Sequence, residues 1–392
     1  MKTKHFILSA ITLIITTFSF AQNTDDVLNL LIKRGLIKQS EADSLKAGRA
    51  IKQKNVNEDQ ELFPLNGNTP FRVGGYIQTR FQSFQQTTMP SEFDIRRARL
   101  IVDGNTSTWE YRLNADFASS PKLIDAYVGF KPYDFLKITV GQFYIPFSLE
   151  NVTADRELST IDRSQVVTAL ASRDKDVIGN QNGRDIGIQL SGNLLKINER
   201  YLVNYYLGLF NGSGINTVDN NQSKDISGRL VFHPFKIIDI GGSYYNGFDQ
   251  WSSGTPAKLI NQNRIRYGGE ILLKYKAFSL QSEYIQGQDG NIVEINKTNT
   301  SLNRAGWYAQ AGYFVFPKKL QIIAKYDTYD PNTLNNENLV KGSTTDATTY
   351  YVLGFNYFFN AWTKLQINYS YRVEQGTQIK NDVLSAQFQI IF

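Results

Sequence analysis

Arginine is the residue type that could do the most specific chemistry in this chain. The stretch "FDIRRARL" places Arg96, Arg97 and Arg99 within four positions, with Asp94 as its single acid. A guanidinium group donates hydrogen bonds in a planar fork that fits carboxylates and phosphates. One carboxylate cannot neutralise three guanidinium groups, so the stretch predicts a site that attracts anions.

Composition restricts the other kinds of chemistry. The 392 residues include no cysteine and only two histidines. His5 lies in the leader and His233 precedes a proline, so we expect no thiol chemistry, no histidine-based metal site and no catalytic dyad. No cofactor, no metal and no enzymatic activity are therefore expected. The net charge of +6, without a basic run, indicates that nucleic acid is not a partner.

The N-terminus has the pattern of an export signal. Lys2 and Lys4 precede the apolar run "FILSAITLIITTFSF", and a small-residue cleavage site stands before Gln22. The run is short of the ~20 residues that a spanning helix needs, which disfavours the alternative of a membrane anchor. We predict a signal peptide over residues 1–21. Residues 22–65 are predicted to be a periplasmic helical segment and linker, with a solvated linker throughout as the alternative.

From residue 66 to residue 392 the dominant pattern is alternation with a period of two. In "WEYRLNADF", Trp109 and Leu113 fall on one face, and Arg112 and Asp116 fall on the other. Such alternation is typical of a strand with one apolar and one polar face. Sixteen strands are predicted, at 71–84, 93–103, 108–118, 122–131, 135–143, 184–193, 200–210, 224–233, 236–246, 263–276, 277–287, 303–316, 319–330, 346–359, 361–374 and 380–392.

The connections between these strands favour a barrel over a sandwich. Tight turns flanked by aromatic residues, such as "FHPFKI" and "YKAFSL", alternate with long polar connections. The long connections are expected at 211–223, 247–262, 288–302, 331–345 and, with forty residues, 144–183. This asymmetry is the layout of an outer-membrane barrel, whereas a sandwich gives no reason for it. The predicted fold class is all-β: a sixteen-stranded antiparallel transmembrane β-barrel with a short N-terminal helical segment.

The stretch "VLSAQFQIIF" predicts how the barrel closes. Its alternation continues to Phe392, so the last strand has no loose polar tail. An open strand edge is not tolerated in lipid, and this strand must therefore pair with the first one, near 71–84.

A barrel of sixteen strands leaves an aqueous channel, which the polar strand faces would line. Fourteen cations are predicted to face inward, namely Arg72, Arg80, Arg97, Arg99, Arg112, Lys137, Arg229, Arg264, Arg266, Lys274, Arg304, Lys325, Lys364 and Arg372. Ten acids share that face, namely Asp103, Glu110, Asp116, Asp125, Asp185, Asp239, Glu270, Glu283, Asp327 and Glu374. The surplus predicts a preference for anions. The alternative is that these charges pair with one another and stiffen the wall.

The connection at 144–183 is far longer than ordinary loops, which indicates a function. It contains four cations and six acids, and also apolar residues at Leu158, Ile161, Val166, Val167 and Leu170. A loop with its own apolar anchors folds against something. We expect it to fold into the lumen and constrict it, with an external cap as the alternative.

Several of these stretches together resemble a known family. "FRVGGYIQTRFQ", "FDIRRARLIVDGN", "KITVGQFYIPFSLE", "STIDRS" and "GRDIGIQLSG" look like the phosphate-selective porin family, porins O and P. The resemblance implies a sixteen-stranded porin of the Gram-negative outer membrane, usually a homotrimer, with the loop after the fifth strand inside the lumen. It also implies that Phe392 is the signal that the barrel-assembly machinery recognises.

These observations predict passive diffusion of small hydrophilic solutes, with a preference for anions and phosphate among the candidate solutes. The alternative is a structural or adhesive barrel that passes little current. The expected surroundings are outer-membrane lipid outside the barrel and small anionic or hydrophilic solutes within it. The predicted pore-lining and anion-binding residues are Arg80, Arg97, Arg99, Arg112, Arg163, Arg173, Arg264 and Arg266.

Overall fold

The computed structural model describes residues 71–86, 88–171, 183–219, 221–253, 258–292, 300–333 and 347–392, together with Lys33. The predicted signal peptide, and all of the predicted helical segment except Lys33, lie outside these residues. Within the described ranges, no helix has the length and apolar character needed to cross a bilayer.

Sixteen antiparallel strands form a closed barrel in which every strand pairs with its neighbours in chain order. The predicted fold class is thereby confirmed. The strands are β1 Phe71–Phe84, β2 Glu92–Asn105, β3 Trp109–Asp116, β4 Lys122–Tyr133, β5 Leu136–Tyr144, β6 Arg184–Ile197, β7 Arg200–Phe210, β8 Asp225–Phe235, β9 Ile238–Ser253, β10 Lys258–Tyr275, β11 Phe278–Ile292, β12 Thr300–Phe316, β13 Leu320–Asp330, β14 Thr348–Phe358, β15 Thr363–Glu374 and β16 Val383–Ile391.

The barrel closes between its first and last strands, as the sequence predicts. β1 and β16 pair in register from Tyr76, opposite Ile391, to Phe84, opposite Val383. Beyond this ladder, Gly75 N donates to Phe392 O at 2.8 Å, and Phe392 N donates to Gly75 O at 3.0 Å. The backbone groups of the chain end are therefore satisfied by the first strand, which a lipid-exposed edge requires.

The two faces of the wall differ as the alternation predicts. Outward side chains such as Leu113, at 51% exposure, and Leu353, at 63%, present apolar surface to the bilayer. Inward side chains include amides that bond to one another across strands. Gln78 Nε2 donates to Gln389 Oε1 at 2.7 Å, and Gln387 Nε2 donates to Gln366 Oε1 at 3.0 Å. These cross-strand hydrogen bonds engage the amides where they are shielded from water.

The connections separate the barrel into two ends. Every second connection has two to four residues, and we call that rim the short-turn end. Between β6 and β7 the turn residues Asn198 and Glu199 have φ of 46° and 63°, as a two-residue type I′ hairpin turn requires. The opposite rim, which carries the longer connections, is the long-loop end.

Two connections are shorter than expected. The predicted loops at 247–262 and 288–302 are mostly strand, because β9 pairs with β10 as far as Ser253 opposite Lys258, and β11 pairs with β12 as far as Ile292 opposite Thr300. The ladders extend by backbone hydrogen bonds into polar sequence. Such sequence lacks the apolar alternation on which the strand predictions rest. The predicted strands β9 to β12 are therefore too short at the long-loop end.

The connection after β5 contains short helices. α1 spans Leu149–Val152, a 3₁₀ turn spans Asp155–Glu157, and α2 spans Gln165–Leu170. We refer to residues 145–171 as the inward loop, because they pack inside the barrel. Residues 172–182 lie outside the described part of the chain, and so do the predicted site residue Arg173 and its neighbour Lys175.

Candidate functional site

The inward loop lies inside the barrel and packs against its wall. Its apolar side chains Ile145, Phe147, Val166, Val167 and Leu170 are buried in one cluster, at 0–2% exposure. The same cluster contains wall residues of β5, β7, β9, β11 and β12, namely Phe143, Phe210, Tyr245, Ile285 and Tyr308. The apolar residues that predicted a folded loop are all buried, and three of them, Val166, Val167 and Leu170, belong to this cluster. They close off the part of the lumen beside those strands.

Wall side chains hold the middle of the inward loop by its carbonyl groups. Asn356 Nδ2 donates to Ser159 O at 2.9 Å, and Gln366 Nε2 donates to the same oxygen at 3.1 Å. Lys364 Nζ donates to Leu158 O at 3.1 Å, and Gln389 Nε2 to Arg156 O at 3.3 Å. Residues of β14, β15 and β16 therefore fix the loop on the side of the lumen away from its apolar cluster.

Two wall carboxylates hold the loop by its helix N-termini. Glu283 accepts hydrogen bonds from Leu149 N at 2.8 Å and Glu150 N at 2.7 Å, at the start of α1. Asp327 accepts from Gln165 N at 2.9 Å, at the start of α2. Free N–H groups at a helix start favour a negative partner. Glu283 and Asp327, predicted only as inward acids, thus serve to position the loop.

A β-bulge in β2 brings consecutive arginines into the lumen. Gln78 of β1 pairs with Arg97, whereas the next residue, Thr79, pairs with Ile95. Arg96 is the extra residue of the bulge and has no opposite partner. Strict alternation would send Arg96 and Arg97 to opposite faces, but each bonds to a residue of the inward loop. The predicted inward list therefore lacks Arg96.

Five arginines meet where the inward loop touches β1 and β2, and we call them the arginine cluster: Arg80, Arg96, Arg97, Arg99 and Arg163. Four of them are predicted site residues, and the bulge adds Arg96. Their acidic partners are Asp94, Asp116, Asp155 and Asp162. Five guanidinium groups against four carboxylates leave a surplus of one positive charge.

Asp155 is the central acid of the cluster. Its carboxylate contacts Arg97 at 3.2 Å and Arg99 at 3.0 Å, and it also pairs with Arg163. Arg163 in addition donates to Glu150 O at 3.1 Å and to Thr153 O at 2.6 Å, so that it braces the loop from within. Asp94 was expected to be the single counter-charge of the "RRAR" stretch. It is instead the partner of Arg80, at 2.5 Å.

Only part of the arginine cluster faces water. The side chains of Arg97, Arg80 and Arg96 are 23%, 17% and 12% exposed. Asp162, which contacts Arg96 at 2.8 Å, is 56% exposed. By contrast, the side chains of Arg99 and Arg163 are 4% and 6% exposed. A solute in the lumen can therefore reach three of the arginines directly, and also the carboxylates of Asp162 and of Asp94, which is 33% exposed.

Charges in the loop part of the cluster are held in their ionised forms. Partial desolvation beside the wall raises the pKa of Asp162, but Arg96 and then Arg80 outweigh this effect and leave the pKa below the usual aspartate value. Burial lowers the pKa of Arg163, yet Asp155 and other neighbours leave that pKa raised overall. Asp162 and Arg163 are therefore both charged at neutral pH.

Arg112 of β3 lies on the same side of the lumen but outside the cluster. Its guanidinium contacts Asp103 at 3.2 Å, and its side chain is 36% exposed. Asp103 is shared with Arg72, also at 3.2 Å. Two cations thus share one carboxylate on a water-accessible part of the wall. The unneutralised positive charge can attract an anion in the lumen.

Arg264 and Arg266 of β10 have a different environment. Their side chains are 4% and 3% exposed, and they contact Asp225 at 3.2 Å and Asp289 at 2.7 Å. Both aspartates have fully buried side chains, and Asp289 also pairs with Arg304. This geometry favours a structural role, and anion binding by these two arginines stays a prediction. Asp225 and Asp289 were missing from the predicted inward acids, since each lies near a predicted strand end.

His233 forms a contact that the sequence analysis did not expect. Its Nδ1 lies 2.6 Å from Asp239 Oδ1, and its Nε2 contacts Asn204 Oδ1. With both ring nitrogens engaged by an acid and an amide, the ring has no nucleophilic side chain among these partners. The pair does not form a catalytic constellation.

Comparison with known proteins agrees with this architecture. The anion-selective porin from Comamonas acidovorans superposes with a TM-score of 0.60 at 11% identity, over 83% of this chain and 100% of that chain. OmpT of Vibrio cholerae gives 0.59 at 12% identity, over 84% and 99% of the two chains. The outer-membrane channel DcaP of Acinetobacter baumannii gives the same values. At such identities these likenesses establish the fold.

No curated protein matches the sequence. A family model described as "Phosphate-selective porin O and P" matches residues 71–248 and 241–392, which together cover the whole barrel. The fold and the family are those of non-enzymatic channels for solutes in the outer membrane. This chain therefore belongs to the phosphate-selective porin O and P family.

Proposed function

We propose that the protein is a passive channel for small hydrophilic solutes, that it prefers anions, and that the inward loop forms its constriction. The observation that carries this proposal is the arginine cluster, where three partly exposed guanidinium groups face the water of the lumen beside the loop. A ring of fixed positive charge attracts anions and repels cations.

The position of the loop supports a path along one side of the lumen. The apolar cluster fills the space beside β7, β9, β11 and β12, whereas the partly exposed charges lie on β1, β2 and β3. An anion would thus travel along the wall that carries Arg80, Arg97 and Arg112. Of the predicted site residues, these three have the exposure that the role requires.

Phosphate is one candidate solute. Arginine forks suit its oxygens, but each arginine of the cluster has a carboxylate partner with which phosphate must compete. We propose general anion preference as the function and phosphate recognition as its narrower form.

The same proposal includes the route and assembly of the protein. The signal peptide over residues 1–21 would direct export, and Phe392 would be read by the barrel-assembly machinery before insertion into outer-membrane lipid. A homotrimer is the proposed assembly. Each of these steps is separately testable, by deletion of residues 1–21, by substitution of Phe392, and by the mass of the detergent-solubilised particle.

The test is single-channel recording from purified protein in a planar bilayer, with a tenfold salt gradient across the membrane. A stable current whose reversal potential moves toward the chloride equilibrium potential supports the anion channel. A reversal potential near zero contradicts the anion preference. Block of the chloride current by low concentrations of phosphate would support the narrower form.

A second function is favoured by the filled half of the lumen. If the loop seals the remaining path as well, the protein is a structural or adhesive barrel. Absence of channel current in the bilayer, with protein whose fold is verified by circular dichroism, would support that alternative.

A further inference from the structure

A cavity at the short-turn end of the barrel is separate from the arginine cluster. It has a volume of about 310 Å³ and lies under residues 156–159 of the inward loop. Wall residues of β14, β15 and β16 form its sides, and the turn between β14 and β15 forms its rim. A volume of this size is at the lower end of the range for small-molecule sites.

Lys364 places a buried positive charge in the wall of this cavity. The residue is 6% exposed, and its ammonium group donates to two backbone carbonyls, Arg156 O at 2.9 Å and Leu158 O at 3.1 Å. Within the described part of the chain, no carboxylate lies within ion-pairing distance of it. Almost all buried charges in proteins are paired with an opposite charge. The third N–H of the ammonium group remains for another acceptor.

The remaining charges of the cavity do not neutralise Lys364. Arg156 also lines the cavity, and its guanidinium group lies 3.6 Å from the carboxylate of Glu157, whose side chain is 60% exposed. The carboxylate of the cavity thus faces water beside Arg156. Two cations against one acid leave a net positive charge in the enclosure.

The other walls are of two kinds. The amides of Asn356 and Gln389 line one side and donate to carbonyls of the inward loop, whereas Phe358, Trp362 and Ile391 offer apolar surface. A free phosphate ion would gain nothing from the apolar side. An anion with a flat or aliphatic body would fill both sides at once, with its charged group at Lys364 and its body against Phe358.

We propose that this cavity binds a small organic carboxylate with an apolar body, and that Lys364 and Arg156 receive the carboxylate group. The site lies on the lumen wall beyond the arginine cluster, so a bound carboxylate would dwell at the short-turn end. Binding at this site does not depend on conduction, and it can be measured on the detergent-solubilised protein.

The test uses benzoate as the probe, with acetate and inorganic phosphate as comparisons, in isothermal titration of the full chain. We expect one benzoate site. Lys364→Gln should weaken it by about tenfold or more, because a charge-assisted hydrogen bond is lost. Phe358→Ala should weaken the binding of benzoate but leave the binding of acetate unchanged. The matched control is Lys274→Gln, an inward lysine near the same rim that does not line the cavity.

Four results would overturn the proposal. They are absence of benzoate binding, equal binding by wild type and Lys364→Gln, equal loss in the Lys274→Gln control, and phosphate binding that is tighter than benzoate binding. If Lys364→Gln does not fold, Arg156→Gln replaces it, because Arg156 is partly exposed and lies on the loop. A silent bilayer together with normal benzoate binding would contradict the proposed channel and leave this site intact.

Discussion

Arg99 of β2 and Asp155 of the inward loop form an ion pair of 3.0 Å inside the barrel, with side chains only 4% and 3% exposed. The pair connects the wall to the inward loop. It also means that the charge of the lumen depends on where the loop lies, since a loop carboxylate neutralises wall arginines.

The first prediction concerns the stability of this connection. Asp155→Asn removes the negative charge that Arg97, Arg99 and Arg163 share, and it leaves the buried Arg163 without its ion-pair partner, while Arg99 keeps Asp116. We expect the unfolding free energy to fall by about 3–5 kcal/mol. Urea unfolding of the protein in lipid vesicles measures this. Asp162→Asn, whose side chain is 56% exposed, should lose less than about 1 kcal/mol. Equal losses for the two variants would contradict the central role of Asp155.

The second prediction concerns selectivity. Asp162→Asn removes the exposed carboxylate beside Arg96, so the lumen gains one positive charge beside the inward loop. A unit charge about 8 Å away in water contributes about 0.5 kcal/mol, in favour of an anion and against a cation. Physiological salt screens each effect to less than half over that distance, so we expect roughly a twofold rise in the anion-to-cation permeability ratio. Reversal potentials in a salt gradient provide the measurement. The control is Asp134→Asn at the short-turn rim, where we expect no change. An unchanged ratio in Asp162→Asn would show that solutes do not pass this group.

The third prediction is a dependence on pH. The folded-state pKa of Asp162 is lowered, because Arg96 and Arg80 outweigh the effect of partial desolvation. Its ion pairs are therefore complete above the ordinary aspartate pKa of about 3.9, and they are lost only as the pH falls through the lower folded-state value. The difference in selectivity between wild type and Asp162→Asn should persist from pH 7 to about pH 4 and close below that. A difference that closes near pH 5 would contradict the lowered pKa.

The fourth prediction separates two groups of predicted site residues. Arg97→Gln should lower the anion preference roughly twofold with little loss of stability, because Arg97 faces the water of the lumen. Arg266→Gln should reduce the unfolding free energy by on the order of 3 kcal/mol, since it removes a partner from the buried Asp289. It should leave the reversal potential unchanged. A shift in selectivity for Arg266→Gln would restore it as an anion-binding residue.

Much of this architecture could be predicted from the sequence. Alternation located all sixteen strands because one face of each barrel strand contacts lipid and the other faces the lumen. The length and apolar content of the inward loop indicated that it folds against the wall. The bulge at Arg96 was not predictable, because one extra residue leaves the local composition unchanged. Nor was the pairing of Asp155 and Asp162 with the wall, which depends on contacts between segments distant in sequence.

The fifth prediction concerns closure of the barrel. A Cβ atom at Gly75 would lie 2.1 Å from Arg99 O and 2.8 Å from the ring of Phe392. Gly75→Ala should therefore force β1 away from β2 at the point where the last strand joins. We expect a loss of about 1–3 kcal/mol and a lower yield of folded barrel, as followed by heat-modifiable mobility on gels. Gly269→Ala is the control, because a Cβ there meets nothing within 4 Å. Wild-type yield for Gly75→Ala would contradict the close packing at the seam.

Because of the bulge in β2, deletion of a single codon could change the charge of the arginine cluster. Arg96 has no partner opposite it in β1, so its deletion would leave Ile95 and Arg97 as consecutive members of a regular ladder. All other strand pairs would keep their register. The same deletion would remove one guanidinium group from the cluster, together with its contacts to Asp162 and Ile161. Barrels of this kind could thus lose or gain a charge in the lumen by an in-frame deletion or insertion at the bulge, while the rest of the fold stays unchanged.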